Sequence, residues 1–379
     1  MPPPPPPPLP QQHVDFLRWA SSSGVRTQSI TPSQIPGAGL GIVATSAIPA
    51  GTTIAFCPAP LLVNLDTVAA FWPGPAPAGL RTHAVLALAI AHGHRDPRNK
   101  WAMWTPTLPS LDEMRGLPLL WSDRQRARLP SSARRLLDAM AARLEADYAA
   151  AAATAAVDRG TFTWAWLVVN TRTLFYPGAA AGTRHEDRMT LCPLVDYFNH
   201  SSRASACRAT YSRAGYTVTT TADVAAGDEV FVTYGAHSGD FLLVEYGFVP
   251  AENGSDAVLL DPWMERLDAV AAVRAELEDE GWWGNWVLDA DGWCYRTEVA
   301  VRRAVAGEGR WYAFLGGDEG GAVEAARVKG VLRGLLRAVL EDAEDDARTH
   351  GEAGGEVEQT IARRWRQIRA IVREVLEKT

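Results

Sequence analysis

Only four cysteines occur in 379 residues, and none of Cys57, Cys192, Cys207 and Cys294 belongs to a Cys-x-x-Cys pair. That scatter argues against a disulfide scaffold and a structural zinc site, and it favours reduced thiols in an intracellular compartment, cytoplasmic or nuclear. Long apolar runs are missing too. The most alanine-rich stretch, Ala149 to Ala156, is short and bracketed by Asp147 and Asp158, so it reads as helix surface and packing, and no membrane span is expected. There is no basic excess: a net charge of −7 weighs against nucleic acid as the main partner. A nucleophile-elbow motif and a phosphate loop are both absent. His83, His92 and His94 lie close in sequence, but His92 and His94 are two apart and cannot share a helix face. With no carboxylate at ligand spacing, no metal is expected. The first residues have neither the basic and apolar regions of a signal peptide nor the arginines of a mitochondrial presequence.

The content that remains suits a packed enzyme. A hydrophobic fraction of 47% over this length is enough for roughly two to three compact units. Pro2 to Pro8 form a low-complexity run, and a polyproline II or disordered tail is expected over residues 1–12. Phe16, Leu17 and Trp19 predict a short amphipathic helix that Ser21-Ser22-Ser23-Gly24 ends. Short β segments broken by Pro and Gly follow from Val25 to Val63, and a helical pattern runs from Pro77 to Val157. Tyr211 to Thr221 reads as a hairpin about Arg213-Ala214-Gly215. Past Pro250 a second hairpin is expected at Asp289-Ala290-Asp291-Gly292, and the chain is helical by periodicity from Thr297. Ile361, Trp365, Ile368, Val372 and Val375 recur at helical spacing, predicting a docked final helix with a basic side of Arg363, Arg364, Arg366, Arg369 and Arg373. The acidic stretch from Glu341 to Asp346 is expected in solvent, as a partner for those arginines.

Three strings carry the chemistry. Asp196-Tyr197-Phe198-Asn199-His200-Ser201 is followed by Val230-Phe231-Val232-Thr233-Tyr234-Gly235 and then by Leu242-Leu243-Val244-Glu245-Tyr246-Gly247-Phe248. Alone, an Asn-His pair is more often a polar turn. Gly37-Ala38-Gly39-Leu40-Gly41 lies upstream in a β-rich context; it lacks dinucleotide-fingerprint spacing and alone is an ordinary glycine turn. Taken in order, the strings resemble the core of SET-domain protein methyltransferases. Leu86 to Ala91, Trp101, Trp104-Thr105-Pro106 and Thr163 to Arg172 resemble the insertion and following helix of the Rubisco large-subunit methyltransferase class.

The resemblance implies an α+β fold, a SET-type β-fold over 13–250 with a helical insertion at about 66–160, and a mostly helical C-terminal domain over 251–379. It implies S-adenosyl-L-methionine as cofactor, held by Ala38, Gly39, Leu40, Arg172, Asn199, His200 and Tyr234. Tyr234 is the expected catalytic residue at the end of a strand, and Tyr246, Asp196 and Phe248 are expected along the substrate channel. The expected reaction is methylation of a lysine on a non-histone protein, ribosomal or translation-associated among the candidates, and a monomer is expected. Histidine methylation and a silent peptide-binding module share these motifs. A lysine amine with a pKa of about 10.4 must lose its proton before it attacks, and burial in an apolar channel beside a sulfonium charge favours that loss.

Overall fold

The computed structural model describes residues 8–68, 79–203, 206–318, 320–350 and 354–379. All of the expected proline tail before Pro8 lies outside them. Helix Gln11–Ser22 begins two residues inside that tail, directly after Pro10. The described residues fall into two compact units, one up to Arg115 with Met140–Ala236 and the other Gly116–Ala139 with His237–Thr379.

In the first unit the short Pro- and Gly-broken segments become strands β1 (Arg26–Thr27), β2 (Ile30–Ile35), β3 (Gly39–Ala44) and β4 (Thr53–Pro58). Later strands are β5 (Thr173–Phe175), β6 (Met189–Leu191), β7 (Arg208–Ser212), β8 (Gly215–Thr219) and β9 (Glu229–Val230). They build a four-stranded sheet β1-β4-β8-β7, a three-stranded sheet β2-β3-β9 and the pair β5-β6. The expected β7-β8 hairpin is present, with Ser212 opposite Gly215. Between β2 and β3, Ile35 faces Gly39, and the Ala38 N–H closes the turn on Ile35 O at 3.0 Å. Gly37 and Gly39 take φ of +75° and +72° there, a region that costs an L side chain strain.

The Leu86-to-Ala91 run lies in helix Thr82–Gly93, which is buried nearly throughout and packs against helix Arg159–Arg172. That second helix starts where Asp158 accepts a hydrogen bond from Thr161 N at 2.9 Å, a side-chain N-cap. It ends at Arg172, whose cation suits the negative end of the helix dipole. His83 and His94 each engage a neighbouring group. The His83 ring stacks on Trp166 at 4.3 Å, and His94 Nδ1 hydrogen-bonds Ala91 O at 2.8 Å.

The second unit contains helices and a small sheet of β10 (Val258–Leu259), β11 (Val287–Asp289) and β12 (Gly292–Trp293). Asp289 faces Gly292 across the expected turn and accepts from Asp291 N at 2.9 Å. The final helix Glu356–Lys378 buries Ile361, Trp365, Ile368, Val372 and Val375, the expected stripe. Arg364 leaves the expected basic side. Fully buried, it donates to Asp240 Oδ1 and to Asp256 Oδ2, each at 2.6 Å, while Ser132 Oγ donates to the other Asp240 oxygen at 2.6 Å. This network, with Trp365 Nε1 donating to Arg128 O at 2.9 Å, binds residues 116–139 into the second unit although the sequence pattern put them in the first. The acidic stretch is only partly solvated: Asp342 accepts from Trp263 Nε1 at 2.9 Å and Asp346 pairs with Arg128 at 3.2 Å. Glu344 does pair with Arg373, at 3.0 Å.

Candidate active site

The first unit gathers its polar side chains around one irregular segment. Leu194, buried and at φ +78°, turns the chain into the 3-10 helix Val195–Tyr197. A branched residue in the left-handed region is strained, and the surrounding packing must hold it there. Asp196, Asn199 and His200 follow within this turn and its exit.

Tyr234 corrects one expectation. It does not end a strand, because β9 stops at Val230. Beyond it, Val232 bridges in parallel to both His200 and Cys207. Val232 N donates to Asn199 O at 3.0 Å, Ser201 N to Val232 O at 2.9 Å, and Cys207 N to Phe231 O at 2.7 Å. The chain is thus threaded between two neighbours that take up its main-chain groups residue by residue, and a regular ladder cannot continue. The threading delivers Tyr234 to the Asn-His pair. Tyr234 N donates to His200 Nδ1 at 3.0 Å, the rings lie 5.2 Å apart, and the Tyr234 hydroxyl donates to Phe198 O at 2.9 Å. With Nδ1 accepting, neutral His200 carries its proton on Nε2. Since the Tyr234 proton is committed to Phe198, its oxygen lone pairs are what it offers to a third group.

Asn199 donates from Nδ2 to Glu229 Oε1 at 2.7 Å. Burial pushes the Glu229 carboxyl above the usual range, and the bond from Asn199 opposes that shift. Gly41 lies against both. A Cβ there would sit 2.5 Å from Glu229 Oε1 and 2.8 Å from Asn199 Nδ2, so an added methyl would have to displace this pair. In the sequence Glu229 reads as one more acid in the turn Gly227-Asp228-Glu229; its signal is the register that sets it opposite Val43 of β3.

Arg172 Nη1 donates to the main-chain oxygen of Asp196 at 2.7 Å, and its Nε is buried without an acceptor among the described residues. Asp196 Oδ2 accepts from Trp104 Nε1 at 3.1 Å, and its Oδ1 is likewise buried without a donor. Burial raises the Asp196 carboxyl, against the pull of the Arg172 cation. Below this turn, His13 Nδ1 meets the Tyr197 hydroxyl at 2.7 Å and Phe16 packs edge-on to the Tyr197 ring at 5.6 Å, so the N-terminal helix buttresses the site segment. Of the glycine-turn residues, Ala38 and Gly39 are exposed and Leu40 is half-buried; the Ala38 N–H is already used by the turn.

Tyr246 and Phe248 belong to the second unit. Tyr246 closes helix Gly239–Tyr246, Gly247 takes φ +84°, and Phe248 follows with its ring 6.5 Å from that of Tyr246. His237 stacks on Phe241 at 4.2 Å beside them. Burial pushes the Tyr246 hydroxyl up to about 12, so it stays protonated.

A zwitterionic amino acid end fits the polar groups of the first unit. Arg172 has a buried donor without an acceptor, and Asn199 has an oxygen, Oδ1, that receives no hydrogen bond among the described residues. A carboxylate and an ammonium answer those two needs in turn.

A family model of the SET domain matches residues 39–235. Among curated proteins, the chain is 30% identical over 290 residues to the ribosomal lysine N-methyltransferase set11 of Schizosaccharomyces pombe, covering 75% of this chain and 72% of that protein. It is 24% identical to human SET domain-containing protein 4, over 77% of this chain and 72% of the relative. Ribosomal lysine N-methyltransferase 2 of Saccharomyces cerevisiae is 25% identical over 57% of this chain and 55% of its own length. Among solved structures, Rubisco LSMT bound to AdoMet superposes with a TM-score of 0.69 at 17% identity, covering 98% of this chain and 92% of the other. The fold is therefore shared at a distance where sequence alone says little.

Proposed function

The chain belongs to the SET-domain family, and on that premise we propose that it methylates a lysine side chain of a ribosomal protein. The protein is an S-adenosylmethionine-dependent protein-lysine methyltransferase acting on non-histone protein. The observation that carries the site assignment is the clasp in which Tyr234 binds both His200 and Phe198. The ribosomal target is supported by the names of the fission-yeast and budding-yeast relatives.

S-Adenosylmethionine, when bound, would supply a methyl carbon made electrophilic by its sulfonium, with a neutral thioether as the leaving group. Arg172 offers its guanidinium to the carboxylate, and Asn199 offers Oδ1 to the ammonium. His200 holds the main chain of Tyr234 in register. The Tyr234 hydroxyl, donating to Phe198 O, keeps its lone pairs for the N–H of a neutral lysine amine, which turns the nitrogen lone pair away from the tyrosine. In the second unit, Tyr246 and Phe248 have aromatic faces of the kind that suit an alkyl stem and a charged amine.

The test of the target is incubation of the protein with radiolabelled S-adenosylmethionine and ribosomes from cells lacking the enzyme. A discrete labelled ribosomal band is the expected result. Label confined to non-ribosomal fractions overturns the ribosomal assignment and leaves the chemistry standing.

A further inference from the structure

The geometry points to Glu229 as a positioning residue that fixes which way round the Asn199 amide stands, and so which atom meets the ammonium group of a bound S-adenosyl amino acid. The inference rests on the reading of Asn199 as the partner of that group.

A primary amide is nearly symmetric in shape and opposite in polarity at its two ends, so its orientation is set by its neighbours. The main chain of Asn199 is pinned where its carbonyl accepts from Val232 N at 3.0 Å, which leaves the side chain one question, whether oxygen or nitrogen faces Glu229. A carboxylate only accepts, so it takes Nδ2, at 2.7 Å. Oδ1 is then turned to the other side, where among the described residues nothing donates to it. An ammonium group has three donors and needs an acceptor there; the reversed amide would present N–H to N–H. Two features of the fold hold the pair in contact. Pairing of β3 with β9 sets Glu229 opposite Val43, and the bare Cα of Gly41 leaves the room that a Cβ, 2.5 Å from Glu229 Oε1, would take.

Glu229→Gln keeps the size of the side chain and removes the one-way polarity, because its amide can donate to Asn199 Oδ1 and stabilise the reversed orientation. The experiment is calorimetric titration of the ligand-free full chain with two ligands. S-Adenosylhomocysteine carries the amino acid end; 5′-methylthioadenosine keeps the adenosine and thioether and lacks it. Glu229→Gln is expected to weaken S-adenosylhomocysteine roughly tenfold or more, the discrimination of about one charged hydrogen bond, with methylthioadenosine within about twofold of the parent. Gly41→Ala, which displaces the same pair, serves in the same assay if Glu229→Gln does not fold. Equal changes for the two ligands, including no change, overturn the inference. Asn199→Ala separates the two readings. If it weakens both ligands alike, the assignment of Asn199 to the ammonium fails; if it is selective and Glu229→Gln is not, only the role of Glu229 fails.

Discussion

Tyr234, Asn199 and Gly41 each have neighbours that fix where a particular atom stands. Tyr234→Phe removes the bond to Phe198 O and the lone pairs offered to the amine, and it keeps the ring against His200. We expect single-turnover methyl transfer to fall by roughly ten- to a thousand-fold, while cofactor affinity moves little and stability by about 1 kcal/mol. A rate loss matched by Tyr246→Phe would deny the tyrosine its special place. Gly41→Ala is the smallest substitution available and is expected to be among the more damaging, because the added methyl meets Glu229, Asn199 and Ile35 within 2.8 Å. Weakened S-adenosylhomocysteine binding with a lowered melting temperature is the expected pairing; parent-like values for both would show that the pair yields easily. Asn199, His200 and Tyr234 stand out in the sequence by order and context, and the fold brings Tyr234 onto His200. Glu229 does not stand out, since nothing local distinguishes it from Asp228 until strand pairing puts it beside Gly41.

Among elements, the helix Arg159–Arg172 and the final helix show what periodicity tells and omits. The apolar stripe of the final helix was readable at helical spacing, and it is buried. By spacing alone Arg364 belongs to a basic face, because sequence cannot show that Asp240, Asp256 and Ser132 converge there from elsewhere in the unit. Arg364→Met leaves the buried Asp240 carboxylate and the half-buried Asp256 carboxylate without their cation, and a loss of about 3–5 kcal/mol is expected in the unfolding of the second unit. A change below about 1 kcal/mol in chemical denaturation would mean that the network relaxes around the gap. The helix pair of the first unit carries a pH signature. Burial pushes His83 down to about 4, while an unfolded His83 titrates near its ordinary 6.5. The folded state therefore binds fewer protons between those values, and stability present above 6.5 is lost as pH falls, by up to about 1.4 kcal/mol per pH unit. His83→Phe, which keeps the stack on Trp166, should flatten the decline in melting temperature from pH 7 to 5. An unaltered slope would place the titration elsewhere. The strand expected to end on Tyr234 failed for a physical reason: an apolar alternating run looks the same whether it joins a ladder or threads between two segments that each take one bridge at Val232.

For the whole molecule, the resemblance read from scattered motifs and the shared fold at 17% identity agree because a SET-type site is built from pieces far apart in sequence, which constrains order and spacing more than identity. The boundary was less legible. Residues 116–139 belong with the second unit through long-range contacts such as Trp365 to Arg128, which leave no local mark. No described helix is long and apolar enough to cross a membrane. The central claim is that this chain transfers a methyl group to lysine nitrogen with Tyr234 orienting the amine. Its most direct test is tandem mass spectrometry of substrate protein after a single turnover with isotopically labelled S-adenosylmethionine, run with the parent and Tyr234→Phe. The account predicts the labelled methyl on a lysine side chain with the parent and a loss of at least about tenfold with the variant; label on histidine, or equal labelling by both proteins, would contradict it.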